Sequence, residues 1–452
     1  AGTALTTGDN NVAIGFEALS TEDAHGDNVA VGYQALKVQD AGADAFSTAV
    51  GYQAGLAVTT GVQNSLFGAF AGDALTTGQE NVALGLGSLS AEVAGNYSVA
   101  VGRSALQKQV NSTSTSVYNV AVGFEAGQEI TTGLKNTLLG ARAGTALTTG
   151  SENTVVGRDA LFTDTLGAKN VAIGQDTLAS QNFTTATDSY NTAVGHSAGL
   201  AITTGFENTL IGGLAGDALT NSDRNTAVGY AALSSNTLGQ YNTAIGYAAL
   251  LVANHTTATD AYNTAVGYAA GGAVTTGFNN TLVGGLTGDA LTDADYNTGF
   301  GYLALSADTL GSTSTAIGTF ALTTQNFTTA TDSHNVGVGY NAGGGVTTGV
   351  QNTFLGSLAG DAITTGFANV AIGFQALSSE DVGTNTVAIG QNALFAQNNA
   401  TAVATYNVAV GQSAGASITT GTLNTFVGGL AGDALTTGTD NVAVGYQALS
   451  AD

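Results

Sequence analysis

The five residues Asn-Val-Ala-Ile-Gly at positions 11–15 are the first copy of a motif that recurs along the whole 452-residue chain. Its glycine returns at Gly32, Gly51 and Gly68 and continues to Gly445, usually 17 residues after the previous copy. From Gly102 onwards the steps follow the order 21, 17, 17 and 17, so that four coils make one 72-residue super-repeat. A fixed short period indicates coils that bury their apolar side chains by stacking on their neighbours. The sequence therefore predicts one repetitive domain, residues 1–452, of about 25 coils.

The alternation of residues within the motif predicts the secondary structure. Val12, Ile14 and Phe16 share one parity and Ala13 and Gly15 the other, which is the period of a β-strand. Seventeen residues are too few for two helices, and β-branched residues dominate the strand positions. We expect an all-β parallel β-roll or β-solenoid with 17-residue coils. In it, Val12, Ile14 and their equivalents should be buried and the insertions of the 181–190 type exposed.

The small residues of the second parity leave two interpretations open. A 17-residue coil encloses a thin core, and thin structures bury a small share of their surface. Alanines such as Ala13, Ala30 and Ala227 either face a common axis in a parallel homotrimer or face the tight interior of a monomeric solenoid.

The charge of the chain is strongly one-sided. Eight Lys and Arg residues stand against 32 Asp and Glu residues, and Arg224 is the last basic residue. Nucleic acid is excluded as a partner because phosphate binding needs a basic surface. The chain has no cysteine, and both ends fall inside a repeat. We interpret it as a fragment of a longer fibre.

A recurrent aspartate is the weak candidate for a metal ligand, and no other cofactor is expected. The stretch at 212–220, Gly-Gly-Leu-Ala-Gly-Asp-Ala-Leu-Thr, comes close to a calcium-binding nonapeptide of β-roll proteins, but it does not occur in consecutive copies. Carboxylate oxygens suit Ca²⁺. The weak calcium candidates in this motif are Asp73, Asp217, Asp289, Asp361 and Asp433.

The long insertions each contain an Asn-x-Ser/Thr sequon, the acceptor pattern for N-glycosylation. The possible glycosylation sites are Asn111, Asn182, Asn254, Asn326 and Asn399. The four histidines are isolated in sequence, whereas zinc needs clustered ligands. No Ser-His-Asp order, phosphate-binding loop or paired-carboxylate cleft stands out, so we expect no enzymatic activity.

The motif Asn-Val-Ala-Ile-Gly or Asn-Thr-Ala-Val-Gly, followed by a short apolar return and a glycine turn, resembles the head repeats of YadA-like trimeric autotransporter adhesins. It is also similar to shaft repeats of phage tail fibres. The resemblance runs through the whole chain by way of its repeat. It implies a left-handed parallel β-roll, three chains around a common axis, and a role in attachment.

These observations predict a structural and adhesive shaft or head of an extracellular fibre, either a cell-surface adhesin or a matrix filament. A phage tail-fibre shaft is the alternative. An ice- or calcium-binding β-solenoid is a weaker one, since the Thr-Thr-Gly steps that invite the ice-binding comparison do not form an uninterrupted threonine array. The expected partners are further copies of the chain and a host surface, glycan or matrix. Recognition should lie in the insertions, unless these are only spacers.

Overall fold

The computed structural model describes residues 1–450, which form short parallel strands joined by turns and contain no helix. They belong to two compact units, Ala1–Arg224 and Asn225–Asp452. Both units have the same internal organisation, in which three-residue strands recur once per coil and two-residue strands appear beside the insertions.

The first unit contains twelve three-residue strands and four two-residue strands. In chain order they are β1 Val12–Ile14, β2 Val29–Val31, β3 Thr48–Val50, β4 Ser65–Phe67, β5 Val82–Leu84, β6 Gly95–Asn96, β7 Val99–Val101, β8 Thr115–Ser116, β9 Val120–Val122, β10 Thr137–Leu139, β11 Thr154–Val156, β12 Gly167–Ala168, β13 Val171–Ile173, β14 Thr187–Asp188, β15 Thr192–Val194 and β16 Thr209–Ile211.

The second unit contains thirteen three-residue strands and four two-residue strands within its described residues. They are β17 Thr226–Val228, β18 Gly239–Gln240, β19 Thr243–Ile245, β20 Thr259–Asp260, β21 Thr264–Val266, β22 Thr281–Val283, β23 Thr298–Phe300, β24 Gly311–Ser312, β25 Thr315–Ile317, β26 Thr331–Asp332, β27 Val336–Val338, β28 Thr353–Leu355, β29 Val370–Ile372, β30 Val387–Ile389, β31 Val408–Val410, β32 Thr425–Val427 and β33 Val442–Val444.

Consecutive three-residue strands within a unit pair in parallel and without a register shift. In the first unit Thr137 pairs with Thr154, and in the second unit Thr226 pairs with Thr243. Each strand thus meets the equivalent strand one coil later, as in other stacked repeat structures. The prediction of an all-β parallel β-solenoid with 17-residue coils is confirmed.

The motif glycine is required by the close approach of consecutive coils. Gly157 has a φ of +139°, and a Cβ atom there would lie 2.3 Å from the carbonyl oxygen of Gly174 in the next coil. The same conflict recurs at motif glycines of both units, for example Gly32 and Gly339. No residue with a side chain fits this position, so the glycine marks every coil.

The middle residue of each strand, and not its two flanks, points into the coil. Ala30 and Ala227 are fully buried, whereas Val12 is 44 % exposed and Ile14 is 60 % exposed. The prediction that Val12, Ile14 and their equivalents are buried is therefore wrong. The interpretation in which the alanines face an axis shared with other chains is also wrong, because Ala227 lies inside its own coil. The narrow interior accepts the small residue and leaves the branched ones outside.

The super-repeat of four coils is a period of core packing. Once per super-repeat the middle strand residue is large and fully buried, as with Leu282 and Phe354. Its space is provided by two glycines, which replace the leucine that other coils carry at the same place. Around Phe354 these are Gly343 and Gly360, where a Cβ atom would lie 2.5 Å and 2.3 Å from the ring. The coil with a large buried strand residue therefore packs where two glycines leave room for that residue.

A ladder of buried asparagines connects the coils at the start of the strands. The Asn136 backbone N–H and Nδ2 donate to Asn119 Oδ1 at 2.8 Å and 3.3 Å, and Nδ2 also donates to the Gly150 carbonyl at 3.0 Å. Asn136 Oδ1 in turn accepts from the backbone N–H of Asn153 at 3.0 Å. These asparagines therefore have a structural role, since they satisfy turn groups that water cannot reach.

The corner that precedes each insertion, long or short, contains a buried polar side chain, usually a carboxylate. Asp308 Oδ1 accepts from the Gly311 N–H at 3.0 Å, and its Oδ2 accepts from Gln325 Nε2 at 2.5 Å. Burial raises the pKa of Asp308 and also that of Asp164, which occupies the same place in the first unit. The fully buried residues of this kind are Glu22, Glu92, Asp164, Asn236, Asp308 and Glu380.

The insertions are only partly exposed. In the insertion at 181–190 the tip at 184–186 is exposed, as predicted. The prediction is wrong for Gln181, Phe183 and Ser189, which are buried. Thr187–Asp188 also pairs in parallel with Gly167–Ala168, so the insertion extends the ladder with a short second strand.

Candidate interaction surface

The candidate surface that recurs in both units is the outward face of the three-residue strands. We define the outer sheet face as the first and third residues of these strands together with the residue after each motif glycine. One coil of the second unit contributes Thr243, Ile245 and Tyr247, of which Ile245 is 37 % and Tyr247 is 53 % exposed. In the first unit Phe16 is 63 % exposed. Large apolar side chains are thus presented to solvent in every part of the repeat.

The aromatic residues of the outer sheet face stack on one another. The rings of Tyr230 and Tyr247 lie 5.6 Å apart between centroids, and those of Tyr247 and Tyr268 lie 5.5 Å apart. In the first unit Phe16, Tyr33 and Tyr52 form a similar row with centroid distances of 5.4 Å and 5.1 Å. Such offset stacking pre-arranges a rigid surface, because each ring restricts the rotation of the next.

The outer sheet face carries almost no charge although the chain carries a net charge of −24. In the second unit every residue of this face is apolar, aromatic, Gly, Ser, Thr or Gln. In the first unit its only arginines are Arg103 and Arg158, and it contains no acidic residue. The acidic side chains lie on the turns and insertions. In each unit the outer sheet face is therefore an apolar strip on an otherwise anionic surface.

Threonine forms a ladder on part of this face. Six successive three-residue strands of the second unit begin with an in-register threonine, and these residues are Thr226, Thr243, Thr264, Thr281, Thr298 and Thr315. The Thr-Thr-Gly steps considered in the comparison with ice-binding solenoids lie at turns instead. The ladder lies beside the apolar and aromatic columns, so the face is mixed in character.

The recurrent aspartates are partly buried, and each has one carboxylate oxygen, Oδ1, without a hydrogen-bond partner among residues 1–450. Burial raises the pKa of Asp73, Asp217, Asp289 and Asp361. Within the described part of the chain, none of them, nor Asp433, belongs to a group of three or more acidic or histidine side chains. Each therefore offers a Ca²⁺ ion one carboxylate, whereas the ion takes six to eight oxygens.

The five sequons divide into two groups. Asn182, Asn254 and Asn326 are exposed, so glycosylation stays a prediction for them. Asn111 and Asn399 are only 7 % and 5 % exposed. Their Nδ2 atoms donate to Glu92 Oε2 at 2.9 Å and to Glu380 Oε2 at 2.8 Å. A glycan on either nitrogen would need space that these buried side chains do not have, which disfavours modification of the folded chain.

Two further findings describe the surface as a whole. Residues 1–450 enclose no pocket. They also contain no helix of the length and apolarity that a membrane crossing requires. No model of a protein family matches the chain, and no curated protein matches it.

Proposed function

We propose that the chain is a structural and adhesive part of an extracellular fibre, whose copies associate side by side through the outer sheet face as a homotrimer. The observation that supports this proposal most directly is the apolar, nearly uncharged strip on an anionic chain. Apolar patches larger than a few hundred Å² on soluble proteins mark interaction sites. A cell-surface adhesin or matrix filament is the favoured setting, and a phage tail-fibre shaft is the alternative.

Energetics favour this face over any other. Complete burial of a large apolar side chain contributes about 1.5–3 kcal/mol, and Ile245 and Tyr247 present such groups in a single coil. Because the strands stack in register, partial burial at each coil would add up along the sheet. Contact through the turns and insertions would instead bring the carboxylates of two copies together, and their repulsion opposes association.

The tips of the insertions are exposed and do not belong to the outer sheet face. These tips recur with the sequence Thr-Thr-Ala at 184–186, 256–258 and 328–330. Polar loops on a rigid scaffold are common recognition sites. We propose that they contact a host surface, glycan or matrix, where repetition of a weak contact gives avidity.

Sedimentation equilibrium tests the association. The parent is expected at three times the 44.4 kDa mass of the chain. Ile245→Glu places a carboxylate in the apolar strip and should lower this mass, because an unpaired charge cannot be buried cheaply. Thr257→Glu, which adds the same charge at an exposed tip, should leave it unchanged. A monomeric parent, or an Ile245→Glu protein that is folded by circular dichroism and still trimeric, would contradict the proposal.

Binding to immobilised glycans and matrix proteins tests the adhesive role. The parent trimer should bind one of these surfaces. The variant in which all three tips are replaced with Ser-Ser-Ser should not bind it. If the substituted chain binds as well as the parent, the insertions are spacers, and recognition does not depend on them.

A further inference from the structure

The first corner of the solenoid differs from the corners that follow it. The step between the motif glycines Gly32 and Gly51 is shorter here than at later corners with an insertion, such as the step from Gly102 to Gly123. Glu22 occupies the buried carboxylate position, and its side chain is fully buried. The shorter insertion, residues 39–46, belongs to the next coil and places Asp40 beside this carboxylate.

The Glu22 carboxylate lacks the partner that its equivalents have. In four later corners a glutamine from the next coil donates its Nε2 to the second carboxylate oxygen. The distances are 2.8 Å from Gln109 to Glu92, 2.6 Å from Gln181 to Asp164, 2.5 Å from Gln325 to Asp308 and 2.8 Å from Gln397 to Glu380. In the first corner Gln39 donates instead to Asn28 Oδ1 at 3.3 Å. Glu22 Oε2 consequently has no hydrogen-bond partner within the described residues.

Three further potential ligands surround this carboxylate. One oxygen or nitrogen atom from each of Glu22, Asp23, His25 and Asp40 lies within 4.8 Å of all the others. His25 Nδ1 is 3.3 Å from Glu22 Oε1. His25 stands where the four corners just compared have Gly95, Gly167, Gly311 and Gly383. The nearby Lys37 ammonium pairs with Glu17 at 2.7 Å. The corner thus combines a buried, incompletely satisfied carboxylate with an imidazole and two more carboxylates.

We propose that Glu22, Asp23, His25 and Asp40 bind a divalent transition-metal cation of the Zn²⁺ type. Zinc binds imidazole nitrogen and carboxylate oxygen at about 2.0–2.2 Å, so tetrahedral ligands around it are roughly 3.4 Å apart. Without a metal, His25 Nδ1 and Glu22 Oε1 are in hydrogen-bond contact at 3.3 Å, a separation that two ligands of one zinc ion can also adopt. The imidazole favours zinc over calcium, which prefers an all-oxygen shell. A bound dication also compensates a buried carboxylate that otherwise destabilises the fold.

Isothermal titration calorimetry with ZnCl₂ tests the site. It is carried out on the full chain in excess CaCl₂ and at moderate ionic strength, so that non-specific counter-ion binding to the acidic surface is suppressed. We expect one Zn²⁺ per chain. Changes to groups outside the first coordination shell already cost about 10- to 100-fold in metal affinity, so His25→Ala should weaken binding by at least about 100-fold. His334→Ala, which removes an exposed histidine elsewhere, should bind like the parent.

A second variant and a spectroscopic measurement test the ligands of the site further. Glu22→Gln retains the shape of the buried side chain and should also weaken binding, while X-ray absorption of the zinc complex should show one imidazole among oxygen ligands. His25→Ala is a change at a partly exposed residue, so it remains informative if Glu22→Gln does not fold. Unchanged Zn²⁺ affinity in His25→Ala, or complete displacement of zinc by Ca²⁺, would overturn the assignment.

Discussion

The matching of Phe354 to its two glycines gives the sharpest test of how the coils pack. Gly360 has a φ of +57°, and a Cβ atom there would lie 2.3 Å and 2.4 Å from Cε1 and Cδ1 of the Phe354 ring. In Gly360→Ala the left-handed backbone costs about 1–2 kcal/mol. Overpacking against a rigid ring costs a further 1–3 kcal/mol, roughly. We therefore expect Gly360→Ala to lower the free energy of unfolding of this region by about 2–5 kcal/mol.

A double-mutant cycle separates the two contributions. Phe354→Leu introduces the residue that Leu282 provides in the preceding super-repeat, and it should cost less than about 1.5 kcal/mol. With leucine at 354, an alanine at position 360 should make a contact like the one at Gly288. There a Cβ atom would lie 2.9 Å and 3.1 Å from the two flexible methyl groups of Leu282. The double variant should therefore recover about 1–3 kcal/mol of the overpacking term.

Hydrogen exchange of the amides in these coils is the appropriate measurement, since long repeat arrays unfold locally and need not follow a two-state transition. The amide of Gly343, which donates to the Ala359 carbonyl at 2.9 Å, reports directly on the contact. Gly288→Ala is the matched control and should be destabilising by a smaller amount. A coupling energy below about 0.5 kcal/mol, or equal costs for Gly360→Ala and Gly288→Ala, would refute the packing account of the super-repeat.

Two further predictions concern buried polar groups. Burial raises the pKa of Asp308 above its ordinary value of 3.8, so the folded chain holds this proton more tightly than the unfolded chain does. Its stabilising contribution is complete below the ordinary pKa and is lost as the pH rises through the raised value. Asp308→Asn introduces the residue that the chain has at Asn236, and it should therefore reduce the loss of thermal stability between about pH 3 and pH 7. The control Asp332→Asn, at an exposed position, should not reduce this loss. An unchanged pH profile in Asp308→Asn would contradict the reasoning. Asn136→Ala leaves the Asn153 N–H and the Gly150 carbonyl without their side-chain partner, at about 1–3 kcal/mol each, and local hydrogen exchange should become faster in the coils on both sides. The exposed control Asn398→Ala should change stability by less than about 0.5 kcal/mol, and equal effects of the two substitutions would show that the ladder contributes little.

The period of the motif glycine was sufficient to predict stacked parallel coils, because the step between copies equals the length of one turn. It could not predict which strand face is inside. Val12 and Ile14 on one parity and Ala13 on the other are all apolar, so hydrophobicity does not distinguish the faces. The choice depends on the width of the coil, which accepts alanine on the strand and cannot accept two branched residues.

The proposed metal site could not be predicted from the sequence, for a different reason. Glu22 and Asp40 belong to different coils and become neighbours only because one coil stacks on the next. His25 has no second histidine or cysteine near it in sequence, so it gives no metal-binding motif. The one visible signal was the unusual step from Gly32 to Gly51, which matches neither the ordinary step nor the long one and marked this corner as irregular.

The dependence of one large strand residue on two glycines also limits how a gene for such a chain can change in length. Loss of the single coil that contains Gly271 would keep the strands and the asparagine ladder in register, but it would bring Leu282 against Leu250 where a glycine now makes room. Loss or gain of four consecutive coils instead returns every coil to a neighbour of its present type. Recombination between repeats of the gene is then tolerated only when it removes or adds four coils together. Natural length variants of this chain should therefore differ by whole super-repeats.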